Sequence, residues 1–403
     1  MKPSHIDWCP MIPDHWEEKR IKDIAFLQSG NSITAMDFVE DGKFPVYGGN
    51  GLRGYTNTYT NEGDYVLIGR QGALCGNINY AHGKFYASEH AVVVYPKKEE
   101  ITLWLGETLR TANLNRLSMT AAQPGLAVST LNLQFIPFPP KDERIRIAKY
   151  LDKKLSEIDH QVSLLTSKRD AYLRLKKSII NHAVTRGLNP NVKMKDSGIE
   201  WIGEVPEHWE VKRMKDICAL SPNIKSCSEY EYGSYLPMEG LRLDQIETSD
   251  ELVSTLQGKY TPFEDNDLLV AKVTPCFENG NIAIAKGLTN GVGFGSSEIF
   301  VLRANKYNNI RFLFYMSLSS KFQDKACATM CGVGGLKRIS PLFMKTYIMA
   351  IPPSTEQRAI ATYLDDKCAK IDTIVSNLDK QISRYGDLKR SLIDEVITGK
   401  RAV

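Results

Sequence analysis

The chain has 403 residues, a net charge of +4, and 24% charged and 42% hydrophobic residues. This length excludes a single small module and predicts roughly two to four domains, and the composition excludes a disordered or histone-like chain. No run of about 18 apolar residues and no signal-peptide core occurs, so we expect a cytoplasmic location. The eight cysteines form no CxxC pair, which favours reduced thiols over zinc or disulfides.

Two segments of the chain occur twice. Residues 4–24 align without gaps to 197–217 with 12 of 21 positions identical, and 143–185 align to 356–398 with 18 of 43 identical. The offset between the halves grows from 193 to 213 residues, so the second half carries 20 extra residues between the repeats. A repeated segment implies a repeated structural unit. We therefore predict one scaffold built twice, with altered loops.

The second repeat carries apolar residues in alternating steps of four and three. In the first copy these are Leu151, Leu155, Ile158, Val162 and Leu165, with Tyr172 in phase, and in the second they are Leu364, Cys368, Ile371, Val375, Leu378, Ile382, Tyr385 and Leu392, interrupted by Lys389. This period favours a seam between two helices, and the alternative is an amphipathic helix packed on its own lobe. We predict an antiparallel coiled coil with one lobe at each end, about 43 Å or roughly 13 base pairs long.

Between the repeats, short apolar runs alternate with Gly, Asn and Asp. They predict strands at 64–69, 89–96 and 266–273, and short helices around 103–115 and 310–324. The predicted fold class is α+β, with two β-rich lobes separated by two long helices in a pseudo-twofold internal repeat. The predicted domains are a first lobe at 1–142, a central helix at 143–187, a second lobe at 188–355 that begins with a linker at 188–198, and a last helix at 356–403.

Catalytic motifs are missing from the sequence. The Gly-Lys pairs lack the Ser or Thr of a nucleotide-binding P-loop, and Phe138 and Ile351 stand where an amino-methyltransferase needs Asp or Asn before two prolines. The seven histidines lack metal-ligand spacing. Because Ile299 takes the place of His90 in the second half, we expect no catalytic group beside Ser88 and Glu89. The sequence predicts neither a catalytic nor a metal site.

Glycine-rich loops in both lobes carry side chains suited to base edges or phosphates. They lie at 45–55, 68–80 and 331–340. Glycine allows a backbone to approach a ligand closely, and Arg, Lys, Asn and Gln contact bases and phosphates. The alternative is a set of tight turns with incidental charge. The candidate DNA-binding residues are Asn50, Arg53, Arg70, Gln71, Lys272, Lys337 and Arg338.

Both halves open and close on the same motifs. Each begins with a W-x7-W segment containing P-x-H-W, and each closes with a proline pair followed by a helix of the form IAxYLDxK-x-x-x-ID. In these motifs the chain resembles the specificity subunit of type I restriction-modification systems, over essentially its whole length. The resemblance implies two target-recognition domains that each read one half of a split DNA site, and two helices in an antiparallel coiled coil. Arg144 departs from the more typical glutamine found at Gln357, and Cys9-Pro10 stands where Ile202-Gly203 stands later.

The same resemblance implies partner subunits. These are two modification subunits, methyltransferases that use S-adenosylmethionine, and two restriction subunits that use ATP and magnesium, so this chain itself would hold no cofactor and no catalytic residue. The two helical repeats carry charges of +6 and +1, which leaves −3 for the lobes and linkers. We therefore expect the modification subunits to supply much of the charge that neutralises DNA phosphates. A coiled-coil protein-interaction scaffold without DNA reading, and a remote autonomous nuclease, stay open as alternatives.

Overall fold

The structure is a computed structural model of the chain and describes residues 1–72, 74–98, 101–118, 125–222, 224, 229–332 and 335–403. It divides into two compact units. Unit 1 holds residues 1–166 and 380–403, and unit 2 holds residues 167–379. Each unit contains one β-rich lobe and parts of two long helices. The division therefore cuts through both helices, whereas the sequence suggested lobes and helices as separate domains.

The first long helix follows the lobe of unit 1. In chain order the elements are β1 (Lys2–Ile6), β2 (Cys9–Ile12), β3 (Glu17–Arg20), α1 (Ile21–Ile24), β4 (Ala25–Ser29), β5 (Phe44–Gly48), β6 (Gly51–Thr56), β7 (Asn61–Glu62), β8 (Tyr65–Gly69), β9 (Ile78–Ala81), β10 (Lys84–Ala87), β11 (Ala91–Pro96), α2 (Thr102–Thr111), α3 (Val128–Asn132), β12 (Phe135–Phe138) and the long α4 (Lys141–Arg186).

The second long helix follows the lobe of unit 2. In chain order the elements are β13 (Met194–Asp196), β14 (Glu204–Pro206), β15 (Glu210–Arg213), α5 (Met214–Ile217), β16 (Cys218–Leu220), β17 (Tyr232–Leu236), β18 (Leu241–Arg242), β19 (Gln245–Ile246), β20 (Ser249–Leu252), α6 (Val253–Leu256), β21 (Thr261–Glu264), β22 (Leu268–Ala271), β23 (Ile282–Ile284), β24 (Val292–Gly295), β25 (Ile299–Ala304), α7 (Ile310–Ser317), α8 (Ser320–Ala328), α9 (Pro341–Thr346), β26 (Ile348–Ile351) and the long α10 (Ser354–Ile397).

Both lobes share one strand plan. The main sheet has the order β4-β11-β8-β9 in unit 1 and β16-β25-β22-β23 in unit 2, with every pairing antiparallel. The second sheet has the order β6-β5-β10-β7 in unit 1 and β20-β17-β24-β21 in unit 2, and in each its two central strands run parallel. A short pair, β3 with β12 and β15 with β26, precedes each long helix. The prediction of one scaffold built twice is confirmed at the level of strand pairing.

The central strands of the main sheet are buried on both faces, which explains their continuous apolar runs. In β8, Val66 and Ile68 belong to the core that contains Trp104 of α2, whereas Leu67 belongs to a separate core that contains Phe85 of the second sheet. Successive side chains of a strand point to opposite faces, so the main sheet lies between α2 and the second sheet. The strand predicted at 64–69, now β8, therefore belongs to a sheet that is covered on both faces.

Unit 2 contains a hairpin that unit 1 lacks among the described residues. The connection between β5 and β6 has two residues, 49–50, and the matching connection between β17 and β20 has twelve, 237–248, which include β18 and β19. Arg311 of α7 anchors this insertion, because its Nη2 donates to Asp244 Oδ2 over 2.7 Å and its Nε donates to Asp365 Oδ1 of α10 over 2.7 Å. About half of the 20 extra residues are accounted for here.

The repeated histidine and glutamate fix each lobe to the start of its long helix. His15 Nε2 lies 2.8 Å from Glu143 Oε2, and His208 Nε2 lies 2.7 Å from Glu356 Oε2. The departure at Arg144 keeps the function of its counterpart Gln357.

That shared function is a hydrogen bond to a proline carbonyl. Arg144 Nη1 donates to Pro139 O over 2.6 Å, and Gln357 Nε2 donates to Pro352 O over 2.9 Å. Each bond ties the first turn of the helix to the proline pair before it.

The long helices pack against each other within each unit, and against the lobe. In unit 1 the beginning of α4 and the end of α10 share one buried core, and in unit 2 the end of α4 and the beginning of α10 share another. The helices therefore run antiparallel in both units, and the two alternatives from the sequence, helix seam and lobe packing, are both realised. Among the predicted seam residues, Leu151, Leu155, Ile158, Leu364, Cys368, Ile371 and Leu378 are buried, and Val162, Leu165, Val375 and Ile382 are half-buried.

Two lysines occupy seam positions and pair with aspartates of the facing helix. In unit 2, Lys176 Nζ donates to Asp372 over 2.6 Å, and in unit 1, Lys389 Nζ donates to Asp159 over 2.7 Å. Both lysines and both aspartates match each other in the 213-residue repeat. Lys389, which interrupts the second heptad pattern, is thus one partner of an ion pair that occurs in both units.

Two predicted elements differ from the structure. The helix predicted at 310–324 is two helices, α7 and α8, because the side chain of Ser319 accepts the N–H of Phe322 and caps a new helix start. The segment 188–198, predicted as a linker, contains β13, which pairs with β14.

Candidate nucleic-acid interface

A concave surface of unit 1 collects three of the predicted residues. Its exposed leucines, Leu52 and Leu74, are 53% and 52% exposed. Amide and guanidinium groups read base edges, and apolar side chains contact the thymine methyl group. The surface therefore offers both kinds of contact. It encloses about 610 Å³ and is lined by Asn50, Arg53 and Gln71 together with Gly49, Gly51, Leu52, Gly72, Leu74 and His90.

The glycines near this cavity differ in what an added side chain would meet. A Cβ on Gly69 would lie 2.0 Å from the carbonyl oxygen of Gly49, so loop packing requires this glycine. A Cβ on Gly48 would lie 2.3 Å from Cδ of Arg53, a flexible side chain that can move. Gly72 has φ +86° and nothing lies within 4 Å of an added Cβ. The interpretation as a tight turn therefore holds for Gly69, and the space beside Gly72 leaves room for a ligand.

Arg70 follows β8 and is half-buried. Its backbone N–H donates to His90 O over 2.8 Å, and its carbonyl accepts the N–H of Leu126 over 2.9 Å. Its Nη1 donates to Ser29 Oγ over 3.2 Å. Arg70 does not line the cavity, although its chain neighbour Gln71 does.

Lys272 holds the matching position in unit 2. It follows β22, its backbone N–H donates to Glu298 O over 2.8 Å, and its carbonyl accepts the N–H of Ile339 over 2.9 Å. These bonds repeat those of Arg70. Arg70 and Lys272 therefore occupy equivalent positions in the two copies of the repeated fold. Unit 1 has a guanidinium group there, and unit 2 has an ammonium group.

The ammonium group of Lys272 is bound within unit 2. Its Nζ donates to Ser297 O over 2.7 Å and lies 4.7 Å from the centre of the Phe300 ring. Burial lowers the pKa of Lys272 below its ordinary value, since desolvation disfavours the charged form. Lys272 therefore offers less free charge to a ligand than the sequence suggested.

Lys337 and Arg338 lie beside Lys272. The N–H of Lys337 donates to Thr274 Oγ1 over 2.9 Å, and Arg338 forms a β-bridge with Val273. Both side chains are exposed. The structure thus brings the three predicted residues of unit 2 together along the segment that follows β22.

Sequence reasoning did not single out Glu298. Its Oε2 accepts Nε of Arg338 over 2.8 Å. The sequence offered one signal, the recurrence of Ser88-Glu89 as Ser297-Glu298, but strand pairing matches Glu298 to His90, because Gly69 pairs with Ala91 and Ala271 pairs with Ile299. Of the predicted loops, residues 73, 333 and 334 lie outside the described residues.

No catalytic contact forms at Ser88, Glu89 and His90. Ser88 Oγ is buried and has no hydrogen-bond partner among the described residues, while His90 Nε2 lies 3.1 Å from Glu89 Oε1. Within the described ranges, His, Cys, Asp and Glu side chains form no group of three that could hold a metal ion. In the same part of the chain, no helix is long and apolar enough to cross a membrane.

The cysteines that the structure describes are free. Burial raises the pKa of Cys9 to about 11 and that of Cys218 to about 12, which makes both thiols poor nucleophiles. Cys227 lies outside the described residues.

Comparisons with known proteins identify relatives over both halves. The family model of the type I restriction modification DNA specificity domain matches residues 13–164 and 206–384. The EcoprrI specificity subunit of Escherichia coli is 40% identical over 141 residues, which cover 34% of this chain and 35% of that protein. The chain thus spans about a third of the length of that relative. The MjaVIII specificity subunit of Methanocaldococcus jannaschii is 22% identical over 415 residues, covering 96% of this chain and 93% of that one.

A solved structure has the same fold. A chain from a study of complex assembly and conformational transition of the type I R-M system matches with a TM-score of 0.69 at 14% identity, covering 97% of this chain and 100% of that one. The two segments that match the family model lie one in each repeat and together exceed half of the sequence. The chain belongs to the type I restriction-modification DNA specificity family.

Proposed function

We propose that the chain is the sequence-reading subunit of a type I restriction-modification complex, and that each lobe reads one half of a bipartite DNA site. The observation that carries this proposal is one strand plan that occurs twice with different polar side chains on it, Asn50, Arg53 and Gln71 in unit 1 and Lys337 and Arg338 in unit 2. Different polar side chains on a shared scaffold fit the reading of two unlike half-sites.

The two surfaces differ enough to read unlike sequences. Unit 1 offers amide, guanidinium and leucine side chains in one cavity, and unit 2 offers Lys337 and Arg338 beside a glutamate. The two-residue turn at 49–50 contributes to the cavity of unit 1, and a twelve-residue connection replaces it in unit 2. The bipartite target is therefore asymmetric.

The long helices set the spacer between the half-sites and carry the docking surface for two modification subunits. The duplicated pairs of Lys176 with Asp372 and Lys389 with Asp159 support this role, because a polar pair in a seam favours one register. Deleting one heptad from both helices removes about 10.5 Å of rise, so the spacer shortens by roughly three base pairs. Methylome sequencing that finds an unchanged spacer contradicts this role.

The chain reads DNA and leaves chemistry to its partners. In this proposal the modification subunits use S-adenosylmethionine, the restriction subunits use ATP and magnesium, and the complex works in the cytoplasm. The lobes and linkers carry a net charge of −3, so the modification subunits supply much of the positive charge that contacts phosphates. The affinity of the chain for DNA is then strongly increased by its modification partner.

Single-molecule sequencing of host DNA with and without this gene tests the proposal. A methylated bipartite motif that disappears with the gene supports it. A salt titration of DNA binding by the complex separates it from the scaffold alternative, because phosphate neutralisation makes affinity fall steeply with salt. An intact methylation pattern in the deletion strain, or no salt-dependent DNA binding by the complex, overturns it.

A further inference from the structure

The backbone of Arg338 is fixed from two sides. Its N–H donates to Cys331 O over 2.9 Å, and its carbonyl accepts the N–H of Cys331 over 3.1 Å. It also forms a β-bridge with Val273, which follows the central strand β22. The Cα of Arg338 is therefore held by the core sheet of unit 2 rather than by a free loop.

The side chain of Arg338 is fixed by Glu298. Arg338 Nε donates to Glu298 Oε2 over 2.8 Å. Glu298 is itself held, because its carbonyl accepts the N–H of Lys272 over 2.8 Å and its N–H donates to Ser296 Oγ over 3.2 Å. The guanidinium group is thus oriented through a chain of bonds that begins at the core sheet.

The ligand-binding end of the guanidinium stays open. Arg338 is 51% exposed and Glu298 is 29% exposed. Among the described residues, Nε is the one guanidinium nitrogen of Arg338 with a partner, so neither terminal Nη group is bound by them in this half-exposed side chain. Two parallel N–H donors match the O6 and N7 acceptors of guanine in the major groove.

The carboxylate of Glu298 distinguishes a base from a phosphate as the ligand. A phosphate is bound by net positive charge, and a carboxylate at 2.8 Å cancels most of the charge of Arg338 and repels an anion. A guanine edge is neutral and needs oriented donors instead. The pair of Glu298 and Arg338 therefore fits a guanine edge better than a phosphate.

We propose that Arg338, oriented by Glu298, reads a guanine in the half-site of unit 2 through N7 and O6 in the major groove. Arg338 is the contacting residue, and Glu298 is a positioning residue. The inference rests on the proposed DNA-reading function. It applies to unit 2, because unit 1 has His90 at the position of Glu298: the carbonyl of His90 accepts the N–H of Arg70 just as that of Glu298 accepts the N–H of Lys272.

Modified DNA tests the contact directly. The chain is purified in complex with its modification subunit, and each guanine of the unit 2 half-site is replaced in turn by 7-deazaguanine, which lacks the N7 acceptor. At one position we expect affinity to fall by roughly 2- to 10-fold, because the substitution removes one of the two hydrogen bonds of the contact and keeps the bond to O6. Inosine at the same position keeps N7 and O6 and lacks the minor-groove amino group, so it leaves affinity unchanged.

Protein variants test the roles of the two residues. Arg338→Ala lowers affinity for the intact site, and 7-deazaguanine causes no further loss in this variant. Glu298→Ala keeps most of the binding but reduces the preference for guanine over adenine at that position, and Glu298→Gln, which keeps an acceptor for Nε, restores part of it. Glu247→Ala is the matched control, because it removes an exposed acidic partner, 3.9 Å from Arg242, elsewhere in unit 2.

Other outcomes overturn the inference. If every 7-deazaguanine substitution is neutral while the complex still binds its target, Arg338 does not read N7, and the proposed function stands. If Arg338→Ala lowers affinity equally for all sequences and reduces the salt dependence, Arg338 contacts a phosphate. If the wild-type complex has no sequence preference, the proposed DNA-reading function fails as well.

Discussion

Units 1 and 2 have the same strand plan but present different surfaces at the same places. Arg70 and Lys272 receive identical backbone bonds, and His15 and His208 fix their helices in the same way. The connection that forms a two-residue turn in unit 1 forms an anchored hairpin in unit 2. The difference teaches that strand pairing and helix attachment need particular residues, whereas the loops between strands accept insertions at little thermodynamic cost.

Replacing a whole lobe gives the largest expected effect on this comparison. If residues 26–134 are exchanged for the corresponding segment of a relative, one half of the methylated motif changes completely and the other half stays the same. The reason is that the frame outside this segment is untouched. Methylome sequencing of a strain carrying the exchange measures both halves, and changes in both would contradict independent reading by the two units.

Removal of one buried tryptophan tests whether the two frames contribute equally to stability. Trp16 and Trp209 are 1% and 0% exposed, so substitution by alanine costs about 3 to 5 kcal/mol in either unit. Hydrogen exchange of the full chain should show lost protection in the unit that carries the substitution. Leu342→Ala is a suitable control, because Leu342 is 67% exposed. Equal loss of protection in both units after either change would show that they unfold together.

Arg70 and Lys272 allow a direct comparison of equivalent positions. Arg70→Ala should weaken binding of the complex to its target by about 1 to 3 kcal/mol, the value of a bidentate contact with guanine, because among the described residues its guanidinium donates only to Ser29 Oγ, through Nη1. Lys272→Ala should cost less than about 1 kcal/mol, since its ammonium already binds Ser297 O. A quantitative binding assay compares the two. If Arg70→Ala causes no loss of affinity for the target, Arg70 has only a structural role in its turn.

The duplicated ion pairs give the smallest expected effect. Double-mutant cycles on Lys176 with Asp372 and on Lys389 with Asp159 should each give a coupling energy of about 0.5 to 1 kcal/mol, because the aspartates are 55% and 59% exposed. Chemical unfolding of the full chain provides the measurement.

A neighbouring pair on one helix provides the control for those cycles. Lys370 and Asp366 form an exposed pair four residues apart on α10, and their coupling should be about 0.3 to 0.5 kcal/mol. Coupling in one seam pair but not in the other would show that the seams of the two units are not equivalent.

The repeats and the apolar runs made much of the fold predictable. A strand buried on both faces has a continuous apolar pattern, which is why β8, β11 and β22 were recognisable. The break between α7 and α8 was not, because the apolar pattern continues past Ser319 and the break is marked by the capping bond with which Ser319 starts α8. The division of both long helices between units depends on contacts between distant segments, which no local pattern reports.

The sequence predicted which residue types would form the candidate site. It did not predict which of their polar groups would already be bound within the protein. Asn50, Arg53 and Gln71, which the sequence proposed together, line one cavity. Whether a charge is free, however, depends on partners far away in sequence, and Lys272 is bound by Ser297 while Arg338 is bound by Glu298. Such partners are set by strand pairing, so residue type alone could not reveal them.

Unit 1 is built from two separate stretches of the chain, 1–166 and 380–403, and this affects how the protein folds during its synthesis. Unit 2 is one continuous stretch, 167–379, but the core of unit 1 includes Leu392, Ile393, Val396 and Ile397. At about 5 to 20 residues per second, a ribosome needs roughly 10 to 50 s to pass from residue 166 to these closing side chains. During that interval unit 2 is being synthesised, and the apolar surface of the first lobe that these four side chains cover stays exposed. The lobe that is made first is therefore completed last, and its uncovered apolar surface is open to aggregation until α10 is finished.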